Sequence, residues 1–119
     1  MNASFVHLSM FVADWRHLRL TDDDLRALEK ILINRPVAGD VMAGTGGLRK
    51  LRFAPPSRGG GKSGGLRVCY AVFPTLGLII LYAAYAKNEK ANMSPADRNT
   101  CNRILQRLRA SFDHRGGER

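Results

Sequence analysis

Residues 68–86 read VCYAVFPTLGLIILYAAYA, nineteen consecutive positions without a formal charge. A helix crossing a bilayer needs about 20 apolar residues, so the run invites that reading first. Its middle argues otherwise. Phe73-Pro74-Thr75-Leu76-Gly77 sets Pro and Gly on either side of two residues, the chemistry of a tight turn, and splits the run into the arms of a hairpin. In the first arm, Leu66 to Phe73, Leu66, Val68, Tyr70 and Val72 fall on one side, with Arg67, Cys69, Ala71 and Phe73 on the other. The second arm, Leu78 to Ala86, is almost wholly apolar, as a central strand buried on both faces must be.

Outward from the hairpin, Leu48 to Ala54 reads as a third strand bearing Arg49, Lys50 and Arg52, joined by a glycine-rich loop over 55–65. Further upstream, Ser4 to Val12 reads as a first strand and Asp14 to Leu20 as a short helix. Thr21 caps a second helix, with Asp24 at the capping-box position and three aspartates at the positive end of the dipole. Those aspartates resemble a metal cluster less than a helix start. Leu25, Leu28, Ile31 and Leu32 follow at helical spacing, and Asn34-Arg35-Pro36 ends the run. Downstream, Ser94-Pro95-Ala96-Asp97 opens a last helix with the apolar stripe Cys101, Ile104, Leu105, Leu108 and Phe112. The expected architecture is α+β, with two N-terminal helices and a C-terminal helix packed on a mostly antiparallel four-stranded sheet. It forms a single domain over 1–114 with a polar tail over 115–119.

Charge narrows the function. The 119 residues carry 19 Lys and Arg against 10 Asp and Glu, a net +9 with a pI near 10.4. No acid stands between Asp40 and Glu89, whereas Arg49, Lys50, Arg52, Arg58, Lys62, Arg67 and Lys87 do. Such a concentrated field points to nucleic acid, an anionic membrane or an acidic protein. Cys69 and Cys101 sit in apolar patterns without ligand spacing and read as buried hydrophobes. Cysteines of that kind suggest a reducing, cytoplasmic setting, and no secretory signal pattern is read at the N-terminus.

Gly61-Lys62-Ser63 suggests a phosphate loop and fails the test. The motif needs a glycine at 56, where Pro56 stands, and a helix after the lysine, where Gly64, Gly65 and a strand pattern follow. What remains is a basic hairpin loop. Lys50, Arg52, Arg67 and Lys87 come from three consecutive strands, close enough to converge on one phosphate. An arginine fork suits a phosphorane. A lysine crowded by cations can exchange protons near neutrality. A solvated basic sheet face is the alternative reading of the same pattern.

Together the runs Gly44-Thr45-Gly46-Gly47-Leu48-Arg49-Lys50-Leu51-Arg52, Gly61-Lys62-Ser63-Gly64-Gly65-Leu66-Arg67 and Tyr85-Ala86-Lys87-Asn88-Glu89 resemble the HigB-like branch of the RelE superfamily. These are toxins of bacterial type II toxin–antitoxin modules. The resemblance, over about Asp14 to Phe112, implies a microbial-RNase-like fold and ribosome-dependent endoribonuclease activity on mRNA in the A site. It also implies no metal or other cofactor, and a 2′,3′-cyclic phosphate and a 5′-hydroxyl as products. By the same resemblance Lys50, Arg52, Arg67 and Lys87 are catalytic, and Tyr85 is the nearest aromatic to the family's tyrosine, whose place Ser94 takes. Arg49, Arg58, Lys62 and Lys90 are expected to meet RNA or the ribosome. The implied partners are a HigA-like antitoxin with a helix-turn-helix domain, the message, and 16S rRNA near the A site, with no membrane. Alternatives are a ParE-like gyrase inhibitor of the same fold, or a non-catalytic RNA- or ribosome-binding module.

Overall fold

The computed structural model describes residues 1–59, 65–87 and 93–117, with side chains as far as Asp113. In chain order the elements are β1 (Ser4–His7), α1 (Ser9–His17), α2 (Asp22–Asn34), β2 (Asp40–Val41), β3 (Arg49–Phe53), β4 (Leu66–Phe73), β5 (Leu78–Ala86) and α3 (Pro95–Gly117). One sheet runs β1-β5-β4-β3-β2, antiparallel except where β1 lies parallel to β5. The hairpin β4–β5 has the bounds its apolar pattern set. Between its arms Pro74–Leu76 makes one 3-10 turn, and Gly77 closes it at φ 62°, where a side chain would be strained.

Two expectations change. The sheet has five strands rather than four, because Asp40 and Val41 pair with Lys50 and Arg49. A two-residue strand with both side chains exposed leaves no alternation to read. Tertiary contacts hold it instead. The Tyr70 hydroxyl donates to the Pro36 carbonyl (2.8 Å) and accepts from the Gly39 N–H (2.9 Å). Gly39 lies so close that a Cβ there would meet the Lys50 carbonyl oxygen at 2.9 Å. The strand expected over Ser4 to Val12 ends at His7, and α1 starts at Ser9 rather than near Asp14. Phe11 and Trp15, four apart, are its buried face. Leu8 occupies the N-cap without a side-chain hydrogen bond, so the start carries no polar signal.

The caps that were legible hold. Thr21 Oγ1 accepts from Asp24 N (3.1 Å), and Asp24 Oδ2 accepts from Thr21 N (3.0 Å). Ser94 and Asp97 repeat the arrangement at α3. The helices take both faces of the sheet. Helices α1 and α2 cover one with Phe11, Trp15, Leu28 and Leu32 against Val68, Tyr70, Ile79 and Leu81. Helix α3 covers part of the other with Cys101 and Leu105 against Cys69, Ala71, Phe73, Ile80 and Tyr82. Ile31, counted with the α2 stripe, is instead exposed.

Candidate functional site

A β-bulge decides which side chains share the partly covered face. Leu78 to Leu81 pair in step with Phe73 to Tyr70, but Cys69 then pairs with Ala83, leaving Tyr82 as an extra residue in β5. From there Ala84 faces Val68 and Tyr85 faces Arg67. Unbroken register would have set Ala84 opposite Arg67 and Tyr85 opposite Leu66, on the α1–α2 side, since a one-residue slip exchanges faces. Just past the bulge the outer edge of β5 has no strand partner, because β1 ends opposite Leu81. Asp14 supplies one. Its Oδ2 accepts from Ala84 N at 2.9 Å.

Across the three strands, Arg52, Arg67 and Tyr85 form one row, and Lys50, Cys69 and Ala83 the next. Arg52, Arg67 and Lys87 line a cavity of about 280 Å³ together with Phe53, Ala54 and Gly65. Two arginines directly opposite on adjacent strands repel each other, and among the described residues no acid or histidine lines the cavity to offset them. Gly65 forms a low wall beside it. A Cβ there would lie 3.7 Å from Arg67 Nη1. The signal for this wall, the glycine two residues before Arg67, was in the quoted motif without a role.

The sequence-derived residues therefore divide. Arg52, Arg67, Lys87 and Tyr85 come together, and Lys50 flanks them one row inward on the same face. Burial, followed by the neighbouring Cys69 thiol, pushes the Tyr85 phenol up to about 12, and Arg67 only partly opposes this. Arg49 points to the other side of β3 and donates to the Gly39 carbonyl at 2.7 Å. Arg58 donates to the Leu18 carbonyl at 2.6 Å. Both hold a backbone carbonyl, Arg49 half-buried and Arg58 still exposed. Lys62 and Lys90 lie outside the described residues. Ser94 is occupied as the α3 cap.

Asp24 has a second task that its capping role concealed. Ser57 N and Oγ donate to its two carboxylate oxygens at 2.9 and 2.6 Å, anchoring the root of the 55–65 loop to α2. The side chain is fully buried. Burial would raise its pKa, but the hydrogen bonds from Ser57 and Thr21 outweigh it and hold the carboxyl below its ordinary value.

Among solved structures, a mutant of the E. coli toxin RelE in its free state aligns with a TM-score of 0.51 and 16% identity, over 74% of this chain and 86% of that one. The fold is that of RelE. No protein-family model matches the sequence. Among the described residues no helix is long and apolar enough to cross a membrane, and no group of His, Cys, Asp and Glu could hold a metal ion. With the RelE fold in hand, the basic row lies on the strands β3, β4 and β5 that build its sheet, at the end α3 leaves open.

Proposed function

We propose that this RelE-fold protein is the toxin of a type II toxin–antitoxin module, of HigB-like kind, cutting messenger RNA in the ribosomal A site. The observation that supports it best is the cross-strand pair Arg52–Arg67 beside Lys87, around a cavity that no acid lines among the described residues. That arrangement suits a phosphodiester passing into a phosphorane. In this reading the two guanidiniums bind the non-bridging oxygens as charge builds on them. Lys50, inward of the arginine row, and Lys87, outward of it, then handle protons. One amine takes the proton of the attacking 2′-hydroxyl, while the other, as ammonium, protonates the departing 5′-oxygen. The products are a 2′,3′-cyclic phosphate and a 5′-hydroxyl. Tyr85, its phenol held neutral, serves by stacking its ring on a base and does not act as the proton acceptor.

The ribosome aligns the message in this scheme, and 16S rRNA near the A site contributes to docking. A HigA-like helix-turn-helix antitoxin neutralises the protein in the cytoplasm. The test is primer extension on a defined message, with and without translating ribosomes, using wild type and Arg67→Ala. Loss of one preorganised donor costs roughly 100- to 1,000-fold in rate, so new ribosome-dependent ends should vanish in the variant. Uncut message with translation arrested would move the assignment to a binding toxin, and altered DNA supercoiling would move it to a gyrase inhibitor.

A further inference from the structure

The arginines of α3 with described side chains divide by flank. Arg98 donates to the Met93 carbonyl (3.3 Å) and to the Ala43 carbonyl, and the Arg109 guanidinium lies 4.5 Å above the Phe73 ring. Between them Asn102 meets Gly46 so closely that a Cβ there would sit 2.6 Å from its Oδ1. At about 100° per residue these three fall on one flank, which faces the β2–β3 connection and the start of the β4–β5 turn. The opposite flank, with Thr100, Arg103, Arg107 and Ser111 all exposed, turns away from that connection. Arg52, Arg67 and Lys87 lie at the end of the sheet remote from the β4–β5 turn.

Arg103 and Arg107 are four apart, roughly 6 Å between Cβ atoms, and a like-charge pair at that spacing disfavours a helix. Arg103 Nη2 reaches only Thr100 Oγ1, at 3.3 Å, and Arg107 has no partner among the described residues. Asp97, the acid in the first turn of α3, is engaged with the Ser94 cap. We infer that this flank is a track for the phosphate backbone of the single RNA strand whose scissile linkage occupies the cavity. Two guanidiniums and two hydroxyls extend it over roughly 16 Å of helix. Charge complementarity and continuity with the cavity select RNA as the occupant. The inference rests on the RNA-cutting reading of the cavity.

The experiment measures fluorescence anisotropy of 2′-O-methylated, hence uncleavable, RNA of four and of twelve nucleotides across a salt series. Wild type should bind the longer oligomer more tightly. Arg103→Ala/Arg107→Ala should lose about tenfold for the longer RNA and nothing for the shorter. Its salt slope should fall by about 1.4, since each single-strand phosphate contact contributes about 0.7. Arg103→Lys/Arg107→Lys should keep most of that slope, as charge rather than fork geometry governs a track. The inference is overturned by a double variant that binds twelve nucleotides like wild type or weakens both lengths equally, or by a wild type indifferent to length. Arg67→Ala is the separate control: if it leaves the four-nucleotide RNA unaffected, the reading of the cavity fails instead.

Discussion

The two faces of the central sheet treat charge in opposite ways. On the α1–α2 side the core is closed, and the arginines that reach it are consumed by the backbone, Arg49 on the Gly39 carbonyl and Arg58 on the Leu18 carbonyl. On the α3 side the helix stops short, and Arg52 and Arg67 are left facing each other across two strands. Arg67 too reaches a carbonyl, that of Leu66 at 3.4 Å, so what separates the two sides is the like-charged neighbour opposite it and not the lack of an acceptor. Net charge therefore says little about where a binding site lies. The distribution of unanswered cations says much more.

The comparison can be broken at several points. The largest effect should come from Leu28→Ala on the closed face. Removing a fully buried leucine costs about 3 kcal/mol, read by denaturant unfolding, while cleavage per folded molecule stays unchanged. Arg52→Ala on the open face should do the reverse, slowing cleavage about 100-fold with the melting temperature held or slightly raised, because a repulsive neighbour is gone. If both variants lose stability and activity in parallel, the two faces are not separable.

Asp24→Ala should cost about 1 to 2 kcal/mol, as the three part-buried hydrogen bonds from Ser57 and Thr21 to its carboxylate are lost. The acid limb tests the same group. Its folded pKa lies below the unfolded one, so its contribution is complete above the unfolded pKa and disappears as pH falls through the folded value. Asp24→Asn should be less stable at neutral pH and show a shallower loss on acidification than wild type.

Tyr70→Phe should cost about 1 to 2 kcal/mol and loosen β2, seen as faster amide exchange at Asp40 and Val41, with the cavity's rate nearly intact. The smallest effect concerns Tyr85. With its phenol raised to about 12, the rate profile between pH 6 and 10 should contain no limb from this group. Tyr85→Phe should retain activity within a few-fold if the ring stacks. A lost basic limb in that variant would restore the hydroxyl as a proton carrier.

Much of this was legible locally. The β4 and β5 boundaries followed from alternation and from Pro74 and Gly77. The α2 and α3 starts followed from Thr21 and Ser94, whose side chains advertise their caps. The start of α1 was hidden because Leu8 caps without a polar side chain, and β2 because two exposed residues have no period. Arg52, Arg67 and Lys87 could be chosen from the run without acids and from the resemblance. Asp24 was recognised only as a cap, since its bond to Ser57 spans 33 positions of chain.

What the sequence alone determined is which residues are strand, helix or turn and that the middle of the chain is basic, because these depend on neighbours a few positions apart. What only the tertiary structure decided is which of the cations face one another. That rested on the extra residue Tyr82 in β5, on Asp14 accepting from Ala84 across 70 positions, and on how far α3 reaches over the sheet. A bulge changes the face of every side chain beyond it, and no alternation within a single strand reveals a slip relative to its partner.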